Sequence, residues 1–273
     1  MTPRAIKLAY ILGSTLLLTS LVLAAIERQH NPPAETIAGL ENSYQVGVYI
    51  DDPNTHKATL EPQEQAVLAM GEPASDSLPA ALDGVKRALE RYPPELIERH
   101  LTSIHLVGNL RVQGIPAAGS FAVSKRALYL RADDQTARYG EVFYAETFHH
   151  EFSSLLVYQG NFPLETWKAT TPAGFRYQYN WQGFEQRPQR KENLEPSERL
   201  KRGFLNQHAM TRLDDDVNAY AEKLFEHPEE LIDLAQTFPV IRQKACLLIS
   251  FYTQQAKSMA DTFAENYPDA WCD

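Results

Sequence analysis

The 273-residue sequence is poor in several residue types that define common protein classes. It contains 2 cysteines, too few for a thiolate metal cluster or a disulfide-rich scaffold. Its 13 glycines are scattered and do not build a glycine-rich loop of the kind that cradles phosphates. Positive charge is in deficit, because 26 Lys and Arg against 35 Asp and Glu give a net charge of −9. This acidity argues against nucleic acid and anionic membrane surfaces as partners.

A hydrophobic run stands near the N-terminus. Arg4 and Lys7 precede an uncharged stretch, residues 8–26, which as a helix would reach about 28 Å and cross a bilayer core. These flanks predict that the rest of the chain is exported to the periplasmic or extracellular face. The length favours an uncleaved anchor, while the sequence at 22–24 loosely fits a signal-peptide cleavage site. We expect a targeting segment 1–26, a polar linker 27–43 and one domain 44–273.

Export affects what the two cysteines are expected to do. An exported chain lies in an oxidising compartment, where a disulfide persists. Cys246 falls in an apolar helical stretch and Cys272 is the penultimate residue. Either the two form a bridge that fixes the C-terminal tail to that helix, or both remain thiols.

Residue periodicity predicts an α+β domain with a helical C-terminal part. The expected strands are 44–51, 103–113 and 121–131, and the expected helices are 79–92, 139–159 and several after residue 214. Residues 52–77 and 162–184 look like loops, the second rich in aromatic side chains. The highly charged stretch 185–202 is expected to be a solvated excursion or a short helix.

The most informative motif lies in the predicted helix 139–159. Zinc peptidases carry His-Glu-x-x-His on a helix, where two imidazoles one turn apart bind one metal and the Glu is a general base. His150-Glu151 begins this pattern, but Ser154 occupies the position of the second His. Ser154 shares the helix face of His150, although a neutral hydroxyl is a poor zinc ligand. The neighbouring His149 is rotated by about 100°, so the pair also fits one buried and one solvent-facing ring.

A second stretch, residues 203–225, places three acids in the first turn of a predicted helix. Thr211 and Asp214 fit a capping box, which would set the start of that helix. The acids Asp214–Asp216 also fit a purely electrostatic role, because negative charge stabilises a helix N-terminus.

Together, the two stretches resemble a group of bacterial zinc-binding metallopeptidases of the gluzincin type. In that type an active helix carries His-Glu-x-x-His, and a later helix supplies a third ligand, usually Glu. The sequence His149-His150-Glu151-Phe152 is similar to the start of the active helix, and residues 216–225 are similar to the later helix. The hairpin that ends at 127–131 resembles the strand that borders the cleft.

The resemblance implies a zincin-like fold, in which a small, mostly antiparallel sheet packs on an active-site helix, and it implies a Zn²⁺ site. It assigns Glu151 as the catalytic base and His150 and Asp216 as metal ligands. In another alignment register Asn218 replaces Asp216, and His208 is a more remote candidate for the missing ligand. Because catalytic zinc normally has three protein ligands, so incomplete a set predicts weak binding.

Three functions remain open at this point. One is an exported or membrane-anchored zinc metallopeptidase-like protein that hydrolyses peptide bonds with a metal-activated water. Another is a catalytically inactive relative whose cleft binds a peptide or protein in the cell envelope, with the aromatic loop 162–184 lining the groove. That loop could equally pack against itself. In the third, the His-Glu pair is coincidental in an anchored structural protein.

Overall fold

The computed structural model describes residues 32–50, 53–160, 162–178, 193–268 and 271–272. The hydrophobic run 8–26 therefore lies outside the described residues. Within these ranges, no helix has both the length and the apolar character that crossing a membrane requires. The chain divides after Gly39 into a short unit and a large one, Leu40–Asp273, and the site discussed below belongs to the large unit.

Helices make up most of the described secondary structure. They are α1 (Pro32–Tyr44), α2 (Pro53–Lys57), α3 (Pro62–Val67), α4 (Leu78–Leu89), α5 (Pro94–His100), α6 (Glu141–Gln159), α7 (Leu164–Ala169), α8 (Pro196–Lys201), α9 (Leu213–Glu226), α10 (Pro228–Thr237), α11 (Pro239–Gln255) and α12 (Met259–Asn266). Short 3₁₀ turns lie at Ser75–Ser77, Val123–Lys125 and His208–Met210. Many of these helices begin at a proline, whose fixed φ and missing N–H suit the first helical position.

The strands form one mixed sheet. They are β1 (Gly47–Tyr49), β2 (Leu68–Gly71), β3 (Ser103–Val112), β4 (Ile115–Pro116), β5 (Gly119–Ala122) and β6 (Ala127–Arg131). The central order is β1-β3-β6-β5, and β2 and β4 pair with the far end of β3. Among the described strands, β1–β3 and β3–β6 are parallel, whereas β5–β6, β2–β3 and β3–β4 are antiparallel. The predicted α+β class is confirmed, and β5 is left at an edge of the sheet.

Strand β3 changes partners half-way along its length. Residues Ser103–Val107 pair with β6, and the strand then pairs with β2 from Gly108 onward. A Cβ atom on Gly108 would overlap the carbonyl oxygen of Glu72, so only glycine fits here. Asn109 follows with φ 46°, and its N–H donates to the Asp133 carboxylate at 2.9 Å. The positive φ of Asn109 thus lies next to the point where β3 changes partner from β6 to β2.

The prediction of a loop over 52–77 is wrong. Pro53 and Pro62 each begin a short helix, and β2 follows directly after α3. Proline has the same role after the predicted helix 79–92, where Pro94 begins α5. Residues 32–43 of the predicted linker, and Tyr44 of the predicted strand 44–51, are helical as well.

Helix α6 lies at the centre of the fold. It begins after Gly140, ends at Gly160 and contains neither glycine nor proline, in agreement with the predicted helix 139–159. Twelve of its 19 residues are buried, because β5, β6, α4 and α9 all pack around it. Gly84 allows α4 to approach α6 closely, since a Cβ there would lie 2.5 Å from the Glu141 carbonyl oxygen. A helix enclosed in this way holds its side chains in fixed positions.

Helices α10, α11 and α12 close the C-terminal side of the core. Cys246 of α11 and Cys272 form a disulfide with their Cα atoms 5.3 Å apart. Of the two alternatives for these cysteines, the structure therefore has the bridge. It fixes the C-terminal tail to α11, where Arg242 also donates to the Trp271 carbonyl oxygen at 2.7 Å.

A buried histidine in the sheet gives the fold a predicted acid sensitivity. His105 of β3 is 5% exposed, bonds Ser103 Oγ at 2.9 Å and lies 3.8 Å from the His56 ring, centroid to centroid. Burial, with a smaller contribution from the charge of His56, lowers the pKa of His105 to about 3. The unfolded chain therefore binds one more proton between the ordinary histidine pKa, about 6.5, and pH 3, so stability should fall as pH falls through this window.

Replacing His105 tests this prediction. His105→Gln removes a contribution on the order of 4 kcal/mol to the difference in unfolding free energy between pH 7 and pH 3. Urea unfolding followed by circular dichroism at pH 7, 5 and 4 should show a flatter pH dependence than in the wild type. Parallel pH profiles for the two proteins would contradict the assignment.

Candidate metal centre

A cleft of about 1000 Å³ follows the free edge of β5. Side chains of α6, α9 and the segment 208–212 line it on one side. On the other side it is lined by α3 and by the β3–β4 hairpin. The helical side carries the polar groups that sequence analysis singled out.

One face of α6 supplies seven of the lining residues. They are Phe143, Glu146, Thr147, His150, Glu151, Ser154 and Tyr158. Their spacing of three and four residues places them in one stripe along the helix, which is why His150 and Ser154 share a face as predicted. His150 and Glu151, the predicted ligand and base, thus lie in the same cleft.

His150 is oriented by a carboxylate from α9. Its Nδ1 lies 2.6 Å from Glu222 Oε1, an arrangement that leaves Nε2 available to a ligand. Burial of the ring opposes its charged form, but the hydrogen bond to Glu222 and the charges of Glu151 and Asp215 outweigh burial and raise the pKa of His150 to about 9. A ring held by a carboxylate in this way is a strong electron-pair donor when it loses its proton.

His208 and Asp215 complete a cluster beside His150. His208 Nε2 lies 3.3 Å from Asp215 Oδ1, and the His150 and His208 rings are 6.0 Å apart, centroid to centroid. Arg212 forms an ion pair with the other oxygen of the Asp215 carboxylate, with Nε 3.6 Å from Oδ2. Burial alone would raise the pKa of Asp215, but the hydrogen bond from His208 and the charges of His208 and Arg212 lower it.

These three side chains fit a transition metal. One ligand atom from each of His150, His208 and Asp215 lies within 4.8 Å of the others. Two imidazoles and a carboxylate are a donor set that Zn²⁺ accepts, and three protein ligands leave a position open, as in catalytic zinc sites. His208, with its side chain 62% exposed, is the least constrained of the three.

Glu151 lies beside this cluster, against the edge strand. It is 8% exposed, and a Cβ placed on Gly119 would come 2.7 Å from Glu151 Oε1. Burial, together with the charges of Asp215 and Asp214, raises the pKa of Glu151 to about 7, although His150 and Arg212 act in the opposite direction. A carboxylate with this pKa exchanges a proton readily near neutral pH.

Ser154, which occupies the position of the second His, forms a hydrogen bond with a residue of α9. Asn218 Nδ2 of α9 donates to Ser154 Oγ at 2.7 Å, and both side chains are buried. The pairs His150–Glu222 and Ser154–Asn218 show that α6 and α9 run antiparallel. Asn218, the alternative third ligand, is therefore bonded to Ser154, and the metal cluster lies towards His208.

The structure does not bring Asp216 to the cleft, which corrects the expectation that it faces His150. Its carboxylate is 0% exposed, and Oδ2 accepts hydrogen bonds from Lys244 Nζ at 2.6 Å, Tyr177 OH at 2.7 Å and Trp167 Nε1 at 2.9 Å. Successive helical residues differ by about 100°, so Asp215 and Asp216 point in different directions. Asp216 belongs to a buried ion pair with Lys244.

The remaining predicted features have structural roles. His149 is fully buried, with Nδ1 2.8 Å from Tyr92 OH and Nε2 3.2 Å from Glu226 Oε1, as expected for the enclosed ring of the pair.

Helix α9 begins at Leu213 with Arg212 as its N-cap, so the capping box predicted for Thr211 is wrong. Of the predicted aromatic loop 162–184, residues 164–169 form α7 and residues 179–184 lie outside the described residues. Among the described side chains, Trp167 is fully buried and Phe175 packs on Phe204, which agrees with simple packing.

The spacing of polar residues along α9 is the sequence feature that relates Asp215 to the site. Asp215, Asn218 and Glu222 are spaced by three and four residues, and this stripe faces α6. His208, a remote candidate from the sequence, reaches the cleft from a 3₁₀ turn whose position depends on tertiary packing.

Neither the known protein-family models nor the curated proteins contain a match to this chain. The chain is similar to a crystal structure from Bacteroides caccae ATCC 43185, described as a "putative zinc-binding metallo-peptidase". The two share 16% identity with a TM-score of 0.46, over 86% of this chain and 92% of the other. At this level of similarity, function has to be inferred from the residues of this chain.

Proposed function

We propose that this protein is a metal-dependent hydrolase of peptide bonds. The observation that carries the proposal is the convergence of three potential ligands, His150, His208 and Asp215, beside a buried Glu151 in one cleft. When bound there, zinc would lower the pKa of a water and polarise a carbonyl group.

The edge strand supports a peptide as the substrate. Arg131 N–H donates to the Ala118 carbonyl oxygen at 2.8 Å, which marks a hydrogen-bonded pair at the start of the β5–β6 ladder. Because such pairs alternate along an antiparallel ladder, the backbone groups of Gly119 and Phe121 are directed to the free edge. An extended peptide can pair with this edge as an added strand. Its backbone would then run past Glu151, which touches Gly119.

Glu151 would act as the general base and then as the acid. Its carboxylate takes a proton from the attacking water and delivers that proton to the leaving amine. The absence of a side chain at Gly119 gives the carboxylate room beside the strand. Glu222 holds the His150 ring, and Arg212 holds the Asp215 carboxylate, so neither ligand has to reorient.

We also propose that the protein is exported, either anchored by residues 8–26 or released by cleavage. The Cys246–Cys272 disulfide supports an oxidising compartment. Fusion of residues 1–43 to a reporter enzyme that is active only after export should give activity, and an inactive cytoplasmic fusion would contradict this part of the proposal.

The Ser154–Asn218 hydrogen bond supports a second candidate function. It fills the position of the missing His with a buried, hydrogen-bonded pair, as expected if the cleft had been retained for binding alone. In that case the protein would bind an extended peptide without metal and without hydrolysis.

Metal titration separates the two candidates. The protein, stripped of metal and titrated with Zn²⁺ by calorimetry, should bind one equivalent. His150→Ala, His208→Ala and Asp215→Ala should each weaken binding by about 100-fold or more, because each removes one of three ligands. His227→Ala, whose ring pairs with Glu146 outside the cluster, is the matched control and should bind as the wild type does. Absence of zinc binding together with retained peptide binding would favour the second candidate.

A further inference from the structure

The two walls of the cleft differ in chemistry. The helical wall carries the candidate ligands and Glu151, whereas the opposite wall is mainly apolar and has Gln63, Glu64 and Gln113 as polar members. The apolar part of this wall, called the apolar wall below, consists of Val67, Leu68, Val112, Ile115, Pro116 and Val123. This division runs along the β5 edge.

Two side chains of the apolar wall are exposed to solvent. Ile115 is 66% exposed and Val123 is 37% exposed, and among the described residues they are the two large aliphatic side chains that solvent reaches to this extent. Both lie in this one cleft. Apolar groups gathered in a cleft are typical of a ligand-binding surface.

Local structure fixes the apolar wall in place. The β3–β4 hairpin turns at Gln113 and Gly114, with φ 52° and 78°, as a tight two-residue turn requires. Arg111 Nη1 adds a hydrogen bond to the Gly114 carbonyl oxygen at 2.9 Å. Glu64 of α3 accepts a hydrogen bond from the Ser124 N–H at 3.2 Å, which holds α3 beside Val123. The wall is therefore pre-formed for a side chain.

Side chains on the two faces of β5 point towards the two walls of the cleft. Phe121 contacts Tyr158 of α6, with ring centroids 5.3 Å apart, on the face where Glu151 lies against Gly119. Ala122 points to the other face, into a cluster with Leu68 and neighbouring Val67 and Val112. Side chains alternate along a strand, so a peptide paired with β5 would direct successive side chains to the helical and the apolar wall.

We propose that the apolar wall is a side-chain subsite that selects peptides with an aliphatic residue. That residue is the immediate neighbour, along the peptide, of the residue that faces His150 and Glu151. The proposal rests on the peptide-hydrolase function above and adds a substrate class to it. Ile115 and Val123 are the specificity-determining residues, because binding would bury the apolar surface that each now exposes.

Binding and cleavage are measured separately. The probes are N-acetylated, C-amidated octapeptides of constant Ala, Ser and Thr sequence, with one position varied among Leu, Ile, Asn and Gly. Binding is measured by calorimetry on zinc-loaded Glu151→Gln protein, and cleavage by mass spectrometry on the zinc-loaded wild type. We expect the Leu and Ile peptides to bind at least about tenfold more tightly than the Gly peptide, since an aliphatic side chain leaves water.

Substitutions in the wall test the assigned residues. In the Glu151→Gln background, the double substitution Ile115→Ser and Val123→Ser should reduce the aliphatic preference to less than about threefold, with Gly-peptide affinity nearly unchanged. Tyr49→Ser, at a side chain 45% exposed and outside the cleft, is the matched control and should keep the full preference.

The outcomes distinguish the two proposals. Aliphatic-selective binding without cleavage would support the subsite and contradict the hydrolase function. Cleavage without aliphatic preference, or a preference that survives the double substitution, would overturn the subsite and leave the hydrolase function standing. If the protein neither bound nor cleaved any of the peptides, both proposals would be overturned.

Discussion

Glu151→Gln should reduce peptide hydrolysis by a factor of about 10² to 10⁴, the usual contribution of a positioned general base. The amide has nearly the shape of the carboxylate but does not accept a proton from water. Glu151 is not one of the clustered ligands, so zinc stoichiometry should remain unchanged. The measurement is kcat/KM on capped peptides, paired with zinc content of the same samples.

Two controls define what this result means. Glu146→Gln changes another cleft carboxylate of α6, one that pairs with His227, and should reduce kcat/KM by less than tenfold. Circular dichroism should show that both variants fold. Hydrolysis by Glu151→Gln at the wild-type rate would remove Glu151 from the mechanism, whatever the metal content.

The largest expected effect on stability is at Lys244. Its Nζ is fully buried, donates to Asp216 Oδ2 at 2.6 Å and to the Gly203 carbonyl oxygen at 2.9 Å, and lies 4.4 Å from the Phe204 ring centre. Lys244→Met leaves the Asp216 carboxylate buried without its cation. Breaking one side of such a pair costs about 3–5 kcal/mol, which corresponds to a fall in Tm of about 10 °C for a domain of this size.

A double variant separates the pair from general packing. Lys244→Met combined with Asp216→Asn removes both charges, so it should be more stable than Lys244→Met alone. Lys201→Met removes a surface ammonium paired with Glu198 and should change the unfolding free energy by less than about 0.5 kcal/mol. A Tm of Lys244→Met within 2 °C of the wild type would contradict a structural ion pair.

This second prediction also shows why the sequence could not choose among three adjacent acids. Asp214, Asp215 and Asp216 have the same chemistry, and each satisfies the macrodipole of α9 equally well. They differ only in direction, since Asp215 faces His208 and the cleft while Asp216 faces Lys244 of α11. The spacing that Asp215 shares with Asn218 and Glu222 singles it out only once it is known that this face of α9 packs on α6, and the sequence around the acids does not contain that information.

Elements with a strong local pattern were predictable. Helix α6 has no glycine or proline between its ends, so its length followed from the sequence. The shared face of His150 and Ser154 followed from helix geometry alone. The short helices α2 and α3 were missed because a proline begins a helix as readily as it ends one, and tertiary contacts decide between the two.

His208 illustrates the limit for the site itself. It is 58 residues from His150 along the chain, on a short 3₁₀ turn, and no spacing rule connects a turn of this kind to a helix so distant. Only the packing of α9 on α6 brings the two rings together. A ligand set that departs from the His-Glu-x-x-His spacing thus becomes visible from the fold, not from the motif.

A crystal structure of the protein grown with Zn²⁺, with anomalous data collected at the zinc absorption edge, tests the central claim most directly. We predict one strong anomalous peak about 2.0–2.2 Å from a nitrogen of His150, a nitrogen of His208 and a carboxylate oxygen of Asp215. A cleft without a peak at saturating zinc, or a peak bound by other side chains, would contradict the proposed metal centre.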